Sequence, residues 1–303
     1  MADRDRLPEW LRRSAPDPAL LARMKRLVDG LQLHTVCESA HCPNQGECFS
    51  QGTAAFMILG DICTRNCTFC AIDSGRPAHP DAAEPERLVK AVKELGLRHV
   101  VITSVTRDDL SDGGASQFAK CIEAIHRYDP EITVEVLIPD FRGSHSALKS
   151  VLNSPLTILN HNVETVPRLY PEVRPQASYE RSIELLMRTK AEEPRIPTKS
   201  GLMLGLGETR EEVIEVMQDL READCDFLTI GQYLRPSAKH HPVVRFVPPS
   251  EFGEYKRIGE EMGFKLVASA PFVRSSFHAA EMLQNLGSRI AHRVRNKVLG
   301  DTW

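Results

Sequence analysis

Long apolar runs and any strong excess of one charge are missing from this chain of 303 residues, in which 38 basic side chains face 41 acidic ones for a formal net charge of −3. A near-neutral surface offers no field for wrapping a nucleic acid backbone. No stretch approaches the roughly 18 consecutive apolar residues of a membrane span. The first residues, Met1-Ala2-Asp3-Arg4-Asp5-Arg6, lack the apolar core of a secretory signal, so the expected compartment is the cytoplasm. Low-complexity tracts and short internal repeats are absent too. Cysteine is scarce over most of the length: of eight, only Cys121 and Cys225 lie outside residues 37 to 70.

What is present is a rhythm. From Thr53 onward, short apolar runs alternate with charge-laced helical stretches, the pattern of repeated βα units. Strands are predicted at 53–60, 98–103, 132–138, 156–161, 199–204 and 226–231, with a weaker seventh at 264–268; helices cover about 85–95, 114–127, 144–152, 178–193, 208–223 and 250–262. No GxGxxG follows the first strand, which disfavours a dinucleotide fold. The predicted class is therefore α/β, a (β/α)6 partial TIM barrel. Residues 1–52 read as an N-terminal extension in which Pro8, Pro16, Pro18 and Pro43 interrupt any long helix, 53–270 as the barrel, and 271–303 as a tail. The basic stretch Arg289 to Lys297 within that tail is expected to be helical, either a solvated face or a docking surface for an acidic partner.

Six cysteines within 34 residues suggest ligation, because thiols in a reducing compartment do not persist as structural disulfides. Cys121 and Cys225 sit in helical or strand-edge contexts and are expected to be packing residues. Directly after the first strand comes Cys63-Thr64-Arg65-Asn66-Cys67-Thr68-Phe69-Cys70, a C-x3-C-x2-C group. In a βα barrel that position is the mouth. Three soft thiolates suit a four-iron cluster with one iron left open to bind a small molecule. The alternative is zinc with His41 or His79 as fourth ligand, although the paired C-x2-C spacing of usual structural zinc sites is missing.

The C-x3-C-x-Phe-C motif resembles the radical S-adenosylmethionine superfamily. That resemblance implies a 4Fe-4S cluster on Cys63, Cys67 and Cys70, S-adenosylmethionine on its open iron, and Phe69 near the adenine. A second triplet, Cys37-x4-Cys42-x5-Cys48, is similar to that of one family within the superfamily, lipoyl synthase. Thr103-Ser104-Val105-Thr106-Arg107-Asp108-Asp109, the stretch Asn160 to Val166, Gly201 to Glu208, and Arg274-Ser275-Ser276-Phe277-His278-Ala279 resemble further motifs of that family. One departure is Phe277, where the family usually has Tyr.

By this resemblance Cys37, Cys42, Cys48 and Ser276, chosen over Ser275, would hold a second, sacrificed 4Fe-4S cluster. Asn162 and Glu164, similar to the ribose-binding stretch of biotin synthase, would bind S-adenosylmethionine; unless they merely cap a strand end, an amide and a carboxylate suit two vicinal hydroxyls. Gly201, Gly205 and Gly207 would allow close approach to the same cofactor, and Arg174 is a candidate substrate-side or interface residue. The activity implied is insertion of two sulfurs at C6 and C8 of a protein-bound octanoyl-lysine. Implied partners are an octanoylated lipoyl domain or glycine-cleavage H protein, a flavodoxin or ferredoxin donor, and a cluster-repair protein. Another sulfur-inserting radical enzyme or a non-catalytic iron–sulfur carrier are the alternatives.

Overall fold

The computed structural model describes residues 7–12, 17–40, 42, 44–50 and 54–276. The predicted C-terminal helix, Phe277, His41 and Pro43 lie outside the described residues. Eight strands form one sheet in strictly sequential order: β1 (His34–Thr35), β2 (Ala55–Ile58), β3 (His99–Ser104), β4 (Thr133–Leu137), β5 (Ile158–Asn160), β6 (Thr198–Leu204), β7 (Phe227–Gln232) and β8 (Leu266–Ser269). β1 pairs antiparallel with β2, and every later pair is parallel. The helices are α1 (Pro18–Gly30), α2 (Val36–Ser39), α3 (Gln45–Ser50), α4 (Glu84–Leu95), α5 (Ala115–Tyr128), α6 (His145–Leu152), α7 (Tyr170–Val173), α8 (Tyr179–Glu192), α9 (Arg210–Glu222) and α10 (Pro249–Glu261). Sequential parallel order from β2 to β8 with a helix between successive strands makes a partial barrel, as predicted, but the weak seventh strand is fully formed as β8.

The parallel strands are legible because both of their faces are covered: all four residues of β2 and all six of β7 are buried. β2 stops at Ile58 because Leu59 and Gly60 turn to φ +69° and +89°, and the Leu59 amide is taken by the Glu84 carboxylate at 3.0 Å. Several helices start at a side-chain cap. Ser144 opens α6, Ser178 opens α8, and Thr209 with Glu212 forms a reciprocal capping box on α9.

The N-terminal extension requires a correction. Pro18 was expected to interrupt helix, yet it begins one of 13 residues, because proline at the first helical position loses no hydrogen bond. Asp17 caps that helix by accepting from the Ala19 amide at 2.9 Å. Met24 and Val28 on its inner face join Leu33 and Cys37 in the same apolar cluster as the barrel interior. Cys121 and Cys225 are fully buried in that cluster, and burial pushes the Cys225 thiol up to about 12. Both are packing residues. Among the described residues, no helix is long and apolar enough to cross a membrane.

Beneath the barrel mouth lies a buried polar layer: Lys199 Nζ meets Glu135 Oε1 at 3.0 Å with both side chains fully buried, flanked by Asn160 and His99. His161 is also enclosed, its ring bonded to the Ile138 carbonyl at 2.8 Å and the Ser182 hydroxyl at 3.0 Å. Burial lowers both histidines from 6.5 to about 4. The unfolded chain therefore takes up these protons first, so stability is whole above about pH 6.5 and is lost as pH falls toward about 4. The loss is on the order of 3 kcal/mol for each histidine if both shifts are complete. Urea unfolding at pH 7 and pH 4.5 should show a clear fall in the midpoint. His161→Gln should flatten that profile, and an equal slope in the variant would contradict the assignment.

Candidate active site

The C-terminal ends of the strands surround a cavity of about 350 Å³. Its wall includes Cys63, Cys67, Phe69 and Cys70 from the loop after β2, and Asn162 and Glu164 from the end of β5. Cys37 and Cys42 come from the N-terminal extension, and Val273 to Ser276 come from the segment after β8. Both cysteine groups, separate in sequence, thus face one space.

The loop carrying Cys63, Cys67 and Cys70 is anchored on several sides. Cys63 bonds through its amide to the Asp73 carbonyl at 2.8 Å, and Thr64 through its amide to the Thr106 carbonyl at 3.0 Å. The Thr68 amide reaches the Val173 carbonyl at 3.0 Å, and His240 meets the Cys70 carbonyl at 3.0 Å. Two backbone amides, of Arg65 and Thr106, point at Cys63 Sγ at 3.4 and 3.3 Å. Such N–H donors are what a thiolate holding a cluster accepts.

Arg65, between the first two thiols, escaped the sequence reading. Its guanidinium is 5% exposed and forks onto two carboxylates, Asp108 at 2.7 and 2.9 Å and Asp140 at 2.7 and 3.1 Å. Burial alone would raise the Asp140 carboxyl, but the bonds from Arg65 outweigh it and hold that group well below the ordinary range. The loop is thereby clamped to the ends of β3 and β4. Arg65→Ala should cost about 3–5 kcal/mol in urea unfolding, because it strands a buried carboxylate. Arg65→Lys should recover only part of that, since a single ammonium cannot fork onto both partners. Stability unchanged by Arg65→Ala would show that the clamp carries no weight.

Burial pushes the Cys37 thiol up to about 11 and the Cys70 thiol up to about 12. Burial also raises Cys67, against the pull of the Arg174 guanidinium. On their own these sulfurs would stay protonated and inert; ligation to a metal would reverse that, because a coordinating thiol is held deprotonated. Among the described residues no three His, Cys, Asp or Glu side chains gather around a single point suited to one ion. A structural zinc site needs such a point, whereas a four-iron cluster takes each thiolate on a different iron. His79 is exposed and bonds to the neighbouring Pro80 carbonyl.

Three polar atoms facing this cavity, Asn162 Oδ1, Ser104 Oγ and Arg174 Nε, are buried without a hydrogen-bond partner within the described chain. A polar ligand would satisfy them. Glu164 has φ +65°, rare for a side chain of its size; the Gly201 carbonyl at 2.9 Å and the Met203 amide at 2.8 Å fix it there. Its carboxyl is raised by burial, opposed by Arg174 and by the Asn162 amide at 3.0 Å. Arg174 also donates to the Asn162 and Val163 carbonyls at 3.2 and 3.1 Å. Gly205 does not line the cavity. A side chain there would meet Gln232 Nε2 at 2.3 Å and the Arg245 carbonyl at 2.5 Å, so its missing side chain serves packing of the 243–247 segment. Cys48 does not line it either, and sits in α3 with its amide on the Asn44 carbonyl at 2.9 Å.

Residues 57–220 match the family model of the radical SAM superfamily, and residues 1–42 match that of the N-terminal domain of lipoyl synthase. The lipoyl synthase of Caldanaerobacter subterraneus subsp. tengcongensis is 57% identical over 274 residues, 90% of this chain and 96% of that one. The chain belongs to the lipoyl synthase family. The lipoyl synthase of Rubrobacter xylanophilus is 55% identical over 92% of this chain and 87% of its own.

Among solved structures, HydG, a maturase of the FeFe-hydrogenase, superposes with a TM-score of 0.56 at 16% identity, over 78% of this chain and 54% of that one. Streptococcus suis SuiB bound to the precursor peptide SuiA gives 0.55 at 14% identity, over 93% of this chain and 59% of its own. At such identities the likeness is one of fold. This chain spans little more than half the length of those two structures. Membership of the superfamily implies a 4Fe-4S cluster and S-adenosylmethionine.

Proposed function

We propose that this enzyme inserts two sulfur atoms, at C6 and C8, into an octanoyl chain carried on a lysine of an octanoylated lipoyl domain or glycine-cleavage H protein. The observation that carries this reading is the single cavity lined by Cys63, Cys67 and Cys70 from one group and by Cys37 and Cys42 from the other. When bound, a cluster on the first group with S-adenosylmethionine supplies a carbon-centred radical able to take hydrogen from unactivated C–H bonds, and a second cluster supplies sulfur.

In our reading Cys63, Cys67 and Cys70 hold the first cluster, and the Arg65 and Thr106 amides steady Cys63. Asn162 and Glu164 take the cofactor's ribose hydroxyls, and Phe69 flanks its adenine. Cys37, Cys42, Cys48 and Ser276 hold the second cluster. Apolar wall residues such as Val36, Met57 and Leu202 accept the alkyl chain and keep water from a reactive carbon. Ser276 is favoured over Ser275 because the Ser275 hydroxyl already accepts the Asn162 amide at 2.6 Å. A division of labour follows, with residues 1–52 and 271–303 serving the second cluster and 53–270 the radical chemistry. A flavodoxin or ferredoxin would deliver electrons, and a repair protein would restore the second cluster.

The test incubates anaerobically reconstituted protein with an octanoyl-lysine peptide, reductant and S-adenosylmethionine, and weighs the peptide. A mass gain equal to two sulfurs is expected for the dithiol formed under reductant. Release of 5′-deoxyadenosine with no sulfur in the peptide would point to another radical reaction. No cleavage at all would favour an iron–sulfur carrier.

A further inference from the structure

Asn44 stands between Cys42 and Cys48, is 1% exposed, and reaches across 228 residues of sequence to the far end of the described chain. Its Nδ2 donates to the Phe272 carbonyl at 2.6 Å, while its own carbonyl accepts the Cys48 amide at 2.9 Å. One residue therefore holds the backbone of a cysteine and, through its side chain, the segment that ends in Ser276.

That segment is pinned to the barrel on its other side. The Gln232 amide donates to the Pro271 carbonyl at 3.1 Å, and the Asn162 amide group donates to the Ser275 hydroxyl at 2.6 Å. The Val273 carbonyl fits only because Gly231 has no side chain, a Cβ there lying 2.0 Å from it. Barrel contacts thus fix the height of the segment over the mouth. The bond from Asn44 fixes its approach to the N-terminal cysteines.

We propose that Asn44 is a positioning residue that draws the C-terminal segment against the N-terminal cysteine group, so that Ser276 can complete the ligand set begun by Cys37, Cys42 and Cys48. This rests on the assignment of the second cluster made above. The physical need is specific. A serine oxygen is a poorer iron donor than a thiolate and binds only if delivered to the metal with little conformational freedom left to lose. A buried amide is an apt device because it donates to a carbonyl, which neither a carboxylate nor an apolar side chain can do. The second side-chain atom, Asn44 Oδ1, is buried without a partner among the described residues.

The test uses the full chain and two variants, Asn44→Asp, which keeps the size but loses the donor, and Asn44→Ala, in case the carboxylate disturbs folding. Before cluster loading, amide exchange of residues 270–276 should speed up by about tenfold in either variant, the effect of losing one buried hydrogen bond, with the rest of the barrel unchanged. After reconstitution with iron and sulfide, the Mössbauer spectrum of the second cluster should match that of Ser276→Ala. Its iron should be lost to chelator about 10–100-fold more readily, as when an outer partner of a metal ligand is removed. Wild-type exchange or a wild-type spectrum in both Asn44 variants would overturn the positioning role. A wild-type spectrum in Ser276→Ala would instead overturn the ligand assignment, whatever the Asn44 variants do.

Discussion

Cys67→Ala should reduce formation of 5′-deoxyadenosine to the background of cluster-free protein. Cys67 is the middle thiol of the loop after β2, which the Thr68 amide ties to the Val173 carbonyl at 3.0 Å. Alanine supplies no ligand. A cluster left with two protein ligands would be exposed and short-lived. Cys63→Ala and Cys70→Ala should behave alike. Cys121→Ser and Cys225→Ser are the controls: both positions lie in the apolar core, so they should lose some stability and keep cleaving the cofactor. Cleavage of S-adenosylmethionine by Cys67→Ala at a rate comparable to wild type would remove the first cluster from this loop.

The second large effect is an uncoupling. Cys42→Ala should still release 5′-deoxyadenosine but put no sulfur into an octanoyl-lysine peptide, a complete loss of one product with the other retained. Cys42 lines the cavity beside Cys37, its amide bonded to the Cys37 carbonyl at 3.0 Å, whereas the first group is held by the Arg65 clamp onto Asp108 and Asp140. The two sites are thus built on different supports and should fail separately. A sacrificed cluster also limits turnover: wild type should stop near one lipoyl group per chain unless the cluster is restored, and a Ser276→Cys variant should keep its cluster yet transfer sulfur poorly. Label placed in the cluster sulfide and absent from the product would sink this account, as would many turnovers without repair.

Much of this could be read locally. Buried parallel strands show as short apolar-rich runs, so β2 to β7 stand out and β8 only weakly, and helices such as α9 announce themselves by Thr209 and Glu212. The loop after β2 declares its chemistry through the spacing of three thiols. α1 is not legible locally because proline, elsewhere a helix breaker, starts a helix when it stands at the first helical residue, and β1, two residues long, leaves no period to detect. The resemblance places Gly205 beside the cofactor, whereas it lies off the cavity lining and its neighbours Gln232 and Arg245 come from other parts of the chain.

The sequence by itself determined the order of elements, the α/β class and the identity of the cysteine ligands proposed, because each rests on residues close together along the chain. Only the tertiary structure decided that both thiol groups face one cavity and that Arg65 is neutralised by Asp108 and Asp140, 43 and 75 residues away. It also decided that Asn44 meets Phe272. The physical reason is that a buried donor or charge must find its partner wherever packing places one, and that placement is set by the closing of the whole sheet rather than by any local pattern.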